Sequence, residues 1–199
     1  MSSAQLPESS PTTWNRKRIE SILPHRGVMA LPDCVSVAAD GRTAVGFMRV
    51  PVNEITEGHF GVCPGVMQVE LAYQVLGVLE AARHTDLAGV ARTIQMAQFN
   101  VLAKFGDVLR VDVKVTKEEL SRKGGTVQAI ATLRNLRDGE NDRNESTAVL
   151  EATAVPKKIF ERMIRTQHNA GTDENTIAAL ASLPPEIQAA IPPAPAPST

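Results

Sequence analysis

The most apolar stretch of the chain predicts one long, buried helix. From Gly65 to about His84 the apolar residues occupy nearly every face of a helix instead of a single stripe. A helix of this kind is surrounded by the rest of its domain. Pro64 precedes it, and proline suits the first turn of a helix because its missing N–H has no partner there. We therefore expect a central helix over residues 65–84.

The segments on either side of this helix have the apolar–polar alternation of strands. Two strands are predicted before it and four after it, at 28–38, 42–50, 92–99, 107–117, 125–136 and 146–156. Turn residues separate them, as at Asp40-Gly41 and Lys123-Gly124-Gly125. The connections are too short for helical crossovers, so the sheet should be antiparallel. The pattern predicts an α+β fold in which an antiparallel sheet wraps one helix.

The two ends of the chain depart from this pattern. Residues 1–12 are rich in Ser, Pro and Thr and predict a disordered tail, after which Thr13 is expected to cap a short helix that ends at Pro24. The globular domain is predicted to cover 13–157. A helical extension over 158–190 and a disordered Pro- and Ala-rich tail over 191–199 are predicted to follow it.

Composition excludes several classes of protein. The formal net charge of the 199 residues is −1, which gives no electrostatic basis for binding nucleic acid or an anionic membrane. The two cysteines form neither a disulfide framework nor a paired metal motif. The start of the chain does not read as a signal peptide, and polar residues interrupt its longest apolar run. We expect a cytoplasmic protein without a membrane span.

Two ionisable residues near the start of the predicted helix suggest chemistry. His59 lies in a glycine-flanked turn before the helix, while Glu70 lies inside it and shares a face with Gln74. Each has a structural interpretation alone, as a polar loop residue and as a core carboxyl satisfied by Gln74. Together with the amides of a helix N-terminus, they suit elimination of water next to a thioester, with a base, an acid and an oxyanion donor. No metal is required.

At these residues the chain resembles a known family. GHF…PGVMQVELAYQ at 58–74 is similar to the signature of the FabZ-type (3R)-hydroxyacyl-[acyl-carrier-protein] dehydratases. ILPHR at 22–26, RTIQMAQFN at 92–100 and FGDVL at 105–109 resemble further elements of that family, in the same order. The resemblance covers roughly residues 17–157. It implies the hot-dog fold, a long central helix wrapped by a curved antiparallel sheet.

The resemblance also implies an active site shared between two subunits. His59 of one subunit would be the base, and Glu70 of the other would be the acid. Gly65 would donate its backbone N–H to the thioester carbonyl, and Gln74 would support Glu70. No cofactor is implied beyond the phosphopantetheine of an acyl carrier protein, which delivers the substrate. The implied assembly is a homodimer or higher oligomer, or a heterodimer with another hot-dog protein.

The chain departs from the family pattern at several places. Its loop between GHF and PGV is three residues shorter, and Gly61 replaces the proline that follows His-Phe in the family. Gln98 stands where a basic residue is usual, and the chain continues beyond residue 158. These differences predict a divergent member with a shortened active-site loop. We expect a role in fatty-acid biosynthesis or in a specialised pathway of the polyketide type.

Two other functions are compatible with the same fold. A hot-dog thioesterase or double-bond isomerase is one, although thioesterases of this fold commonly lack the histidine that this chain has as His59. A non-catalytic or half-site subunit that pairs with an active partner is the other, and the shortened loop favours it. Of the remaining residues, His25 is expected to be a structural turn residue, Cys63 a packing residue and His84 a solvent-exposed side chain.

Overall fold

The computed structural model describes residues 11–138 and 145–162. The strands are β1 (Thr12–Asn15), β2 (Cys34–Val37), β3 (Thr43–Arg49), β4 (Leu87–Gln98), β5 (Val108–Ser121), β6 (Gly124–Asn135) and β7 (Ser146–Pro156). The helices are α1 (Arg16–Ile22), α2 (Glu54–Glu57) and α3 (Gly65–Arg83), with 3-10 turns at Gly27–Met29 and Leu136–Asp138. A separate unit starts at Lys157, and its described residues, 157–162, are helical. The rest of the predicted extension and tail lies outside the described residues.

The seven strands form one sheet in the order β1-β2-β3-β5-β6-β7-β4, and every neighbouring pair is antiparallel. β5 and β6 meet at a tight turn where Ser121 pairs with Gly124. β1 and β4 are the two edges of the sheet. The expected antiparallel sheet is confirmed, and with it the α+β, hot-dog class of fold.

The central helix lies against the sheet, as its all-round apolar pattern predicted. α3 contacts β2, β3, β4, β5 and β6. Its apolar side chains are almost wholly buried on several faces, among them Leu71, Val75, Leu76, Val78 and Leu79. Burial of each such side chain contributes about 1.5–3 kcal/mol to folding.

A glycine in β3 lets the helix approach the sheet closely. A Cβ atom on Gly46 would lie 2.3 Å from Val75 Cγ2, a distance that real Cβ atoms essentially never show, and a tight 3.1 Å from Val111 Cγ1. Gly46 therefore sets the separation between α3 and the middle of the sheet, and thus the position of the helix that carries Glu70.

Because of local hydrogen bonds, several helices and strands begin at residues other than those predicted. The side chain of Asn15, not Thr13, caps α1 by accepting a hydrogen bond from Arg18 N at 3.0 Å. Residues 12–15 instead pair with β2, where the Trp14 side chain is buried. Within the predicted irregular connection 52–64, Asn53 and Thr56 cap each other's backbone N–H and start the short helix α2. His84 is half-buried, so the expectation of an exposed side chain was wrong.

Of the helices in the described residues, none combines the length and the apolar character that crossing a lipid bilayer demands.

Candidate active site

Glu70 lies in the second turn of α3, with its carboxylate held from one side. Two donors meet at Oε1: Nε2 of Gln74 at 2.8 Å and Nε2 of His25 at 3.0 Å. The side chains of His25 and Glu70 are partly exposed, each at 31%. Burial alone raises the pKa of Glu70, but the hydrogen bonds from His25 and Gln74 and the charge of His25 outweigh it, so that the pKa lies below its ordinary value.

The side-chain amide of Gln74 is buried, and both its oxygen and its nitrogen have hydrogen-bond partners. Its Oε1 accepts a hydrogen bond from Leu31 N at 2.9 Å, and its Nε2 donates to Met29 O at 2.8 Å as well as to Glu70. The amide therefore fastens the 29–31 segment to α3 while it orients the carboxylate.

His25 is a residue whose role the sequence analysis missed. It was expected to be a structural turn residue, but the structure places its ring against the carboxylate of Glu70. Arg26 shapes this turn by donating to the carbonyl oxygens of Leu23 and His25. The only sequence signal was the ILPHR segment, which lies 45 residues before Glu70 and gave no hint of the contact.

His59 occupies the exposed turn that follows α2. The carbonyl of Thr56 accepts hydrogen bonds from His59 N at 3.2 Å and from Gly61 N at 2.9 Å, which closes the turn. Phe60 and Gly61 have positive φ angles of 58° and 75°. Gly61 suits this conformation because it has no Cβ, whereas Phe60 is strained in it. The backbone thus holds His59 in a defined, solvent-facing turn.

The structure does not join the two predicted catalytic side chains within one chain. Across residues 11–138 and 145–162, no hydrogen bond or ion pair links His59 to Glu70. His59 remains exposed, and Glu70 is bound by His25 and Gln74 instead.

Gly65 begins α3 beneath an aromatic ring. A Cβ atom there would lie 3.0 Å from the ring of Phe99, so glycine allows the ring to lie close over the start of the helix. Pro64 N-caps the helix without a side-chain hydrogen bond, and its carbonyl accepts from Met67 N at 3.0 Å. The backbone N–H of a helix start carries the positive end of the helix dipole, which suits an oxyanion.

A cavity of about 500 Å³ opens beside this region without including it. Its lining comes from the end of β3 and the residues after it, 48–53, from Gly27, Val28, Ala30 and Leu31, and from Arg16, Asp33 and Gly106. None of His25, His59, Glu70 and Gln74 lines this cavity. This cavity is therefore separate from the candidate active site.

The ionised Glu70 should contribute to stability in a pH-dependent way. Because its folded-state pKa is lowered, the contribution is present above about pH 4.3, the ordinary glutamate value, and is lost as the pH falls through the folded-state pKa. Urea unfolding of the wild type and of Glu70→Gln should give a stability difference that shrinks over this acid range. The loss should be smaller in a His25→Ala background. A difference independent of pH would contradict the hydrogen-bonded geometry.

No protein-family profile matches the chain. The FabZ 3-hydroxyacyl-[acyl-carrier-protein] dehydratase of Clostridium novyi (strain NT) is 34% identical over 131 residues, which cover 62% of this chain and 87% of that protein. The enzyme of the same name from Clostridium acetobutylicum is 31% identical over 123 residues, 59% of this chain and 86% of that protein. The FabZ dehydratase of Bacillus pumilus (strain SAFR-032) is 36% identical over 107 residues, which cover 51% of this chain and 74% of that protein.

Solved structures also match. The protein smu.793 of Streptococcus mutans UA159, bound to acetyl CoA, has a TM-score of 0.45 and 16% identity, over 57% of this chain and 82% of that one. The alignments to the dehydratases have the greater weight, because they exceed 30% identity over most of each relative. On that ground, this chain belongs to the FabZ family of 3-hydroxyacyl-[acyl-carrier-protein] dehydratases.

Proposed function

We propose that this protein removes water from a 3-hydroxyacyl thioester, carried on the phosphopantetheine of an acyl carrier protein, and releases the trans-2-enoyl thioester. The observation that carries the proposal is the one-sided binding of the Glu70 carboxylate. His25 and Gln74 both donate to Oε1, which leaves Oε2 without a donor among the described residues. Oε2 is then the atom that can carry the proton needed by a departing hydroxyl.

The proposed reaction divides its proton transfers between two side chains. His59 takes the proton from the carbon next to the thioester carbonyl, and the backbone N–H of Gly65 stabilises the negative charge that forms on the carbonyl oxygen. Glu70 then donates the proton on Oε2 to the hydroxyl, and the C–O bond breaks to release water. The cycle closes when the proton on His59 returns to Glu70. Gln74 and His25 hold the carboxylate in place throughout.

Glu70 must hold a proton at the start of this cycle, although its pKa in the separate chain is lowered. Burial beneath a second subunit and an acyl chain removes water from the carboxyl group, which raises its pKa. The partner subunit therefore both supplies His59 and favours the protonated acid.

We place the subunit contact at β4. This strand is an edge of the sheet, and it and the residue after it expose Ile94, Met96 and Phe99. An exposed apolar strand edge is a template for pairing with another chain. Two copies joined along β4 would form one continuous sheet and cover these side chains. The same contact would give the cross-subunit site that the separation of His59 from Glu70 within one chain requires.

Apolar side chains around the helix start offer a path for the acyl chain. Val66 and Phe60 are 75% and 97% exposed, an unusual exposure for such large apolar groups, and Leu102 is also exposed. Phe105 packs against Gly61, as Phe99 does against Gly65. These residues surround the turn of His59 and the start of α3, where the reacting end of the substrate would lie. The pathway proposed is one that builds acyl chains on a carrier, in fatty-acid or polyketide-type biosynthesis.

The direct test is turnover of 3-hydroxyacyl carrier proteins of graded chain length, followed by mass spectrometry. We expect the mass to fall by one water, with a trans double bond next to the thioester. A released acid would indicate a thioesterase, and a moved double bond without loss of water an isomerase. Inactivity of the pure protein that is relieved by a second hot-dog protein would instead indicate a half-site subunit.

A further inference from the structure

A second cluster of ionisable side chains lies at the other end of α3, away from the proposed active site. Glu80 and His84 are one helical turn apart, and Glu118 comes from β5. Glu80 lies ten positions after Glu70, which corresponds to about 15 Å along a helix. The proposed dehydration does not use this cluster.

Arg83 binds one oxygen of each carboxylate and so fixes both. Its Nη1 lies 3.1 Å from Glu80 Oε1, and its Nη2 lies 2.5 Å from Glu118 Oε2. The other oxygen of each carboxylate is left on the side of His84, whose Nε2 is 3.2 Å from Glu118 Oε1 and 4.0 Å from Glu80 Oε2. One ligand atom from each of Glu80, His84 and Glu118 lies within 4.8 Å of the others.

The second carboxylate oxygen of Glu80, Oε2, receives no hydrogen bond from the cluster. Glu80 is only 6% exposed, and its Oε2 is buried without a hydrogen-bond donor in the described residues. His84 Nε2, at 4.0 Å, is too far away to donate to it. A buried carboxylate oxygen without a partner is costly. Burial, and then Glu118, raise the pKa of Glu80 despite the opposing charges of Arg83 and His84.

We propose that Glu80, His84 and Glu118 bind a divalent transition-metal ion, with Zn²⁺ as the preferred ion and water completing its coordination. One imidazole and two carboxylates are ligands that Zn²⁺ accepts, at about 2.0–2.2 Å each. In a tetrahedral site, two ligands at that distance are about 3.4 Å apart. The 3.2 Å between His84 Nε2 and Glu118 Oε1 already fits, whereas Glu80 Oε2, at 4.0 Å from His84 Nε2, has to move closer by about 0.6 Å.

Charge and access at the cluster both favour a cation. Arg83 offsets one of the two carboxylates, which leaves a net charge of −1 when the imidazole is neutral. The C-terminus of α3 adds the negative end of the helix dipole. His84 and Glu118 are partly exposed, so an ion can enter from solvent. The bound ion would satisfy Glu80 Oε2 and connect the end of α3 to β5.

The test is zinc binding by the full-length protein after treatment with a chelator. Titration calorimetry and metal analysis after dialysis should show one Zn²⁺ per chain. His84→Ala and Glu118→Gln should each weaken binding by at least about 100-fold, because each removes or neutralises a direct ligand and even the loss of an outer-shell partner costs about 10–100-fold. Glu119→Gln is the matched control, since this neighbouring carboxylate is exposed and pairs with Lys117. It should bind zinc like the wild type.

Co²⁺ in place of Zn²⁺ gives a readout on the wild-type protein that does not depend on whether the variants fold. Its visible spectrum should indicate nitrogen and oxygen ligands. Thiolate charge-transfer bands would instead place the ion at Cys34 or Cys63 and overturn the proposal. Absence of stoichiometric binding would overturn the proposal. Equal zinc affinity of Glu118→Gln and Glu119→Gln would also overturn it.

Discussion

Turnover of a 3-hydroxyacyl carrier protein falls by about 10²–10⁴-fold in His59→Ala and, separately, in Glu70→Gln, the range that general acid–base groups contribute. Loss of His59 removes the base for the carbon-bound proton. Glu70→Gln keeps the shape of the side chain and an acceptor oxygen for His25 and Gln74, but it removes the proton that the leaving hydroxyl needs. Steady-state kcat and KM for the enoyl product measure both effects.

Both variants should keep the fold, which separates a chemical loss from an unfolded protein. The turn of His59 is closed by backbone hydrogen bonds, so its ring is not needed for the local structure. Circular dichroism and thermal unfolding check this, and Glu119→Gln on the exposed end of β5 should retain wild-type turnover. Full activity of a folded His59→Ala would remove His59 from the mechanism. Full activity of Glu70→Gln would remove the acid.

Mixing the two inactive variants restores part of the activity, if the site is shared between subunits. After unfolding and joint refolding in equal amounts, half of the dimers contain one chain of each kind. One of the two sites in such a dimer carries both substitutions, and the other carries native His59 and native Glu70. Recovery should therefore reach about one quarter of wild-type activity, because each isologous dimer has two equivalent sites. The activity of the mixture, relative to each variant refolded alone, is the measurement.

Failure of the mixture to recover activity would indicate that the active site is not shared between subunits. If His59 and Glu70 of one chain acted together, each site in the mixed dimer would lack one group, and activity would stay at the level of the separate variants. Light scattering on the mixture must show that dimers formed. A mixture that forms dimers without recovering activity would contradict the β4 contact as the origin of the active site.

The sequence pattern was sufficient to predict those helices and strands whose apolar residues recur regularly within one segment. The apolar residues of α3 point in all directions, so that helix could only be buried, and it runs from Gly65 to Arg83, close to the predicted end. Strands β5, β6 and β7 lie within a few residues of their predicted bounds. Short capping contacts were harder to predict, because Thr13 and Asn15 can both act as caps. Only the pairing of residues 12–15 with β2 selects Asn15.

By itself, the sequence determined the central helix, the antiparallel sheet, the family and the choice of His59, Glu70, Gly65 and Gln74 as candidates. These follow from periodicity and from motifs within short segments. Only the tertiary structure brought His25 to the carboxylate of Glu70, because that contact joins residues 45 positions apart. It likewise brought Glu118 of β5 next to Glu80 of α3 and to His84, the residue after that helix. Sheet pairing and helix packing decide such contacts, and side-chain periodicity along one segment contains no information about them.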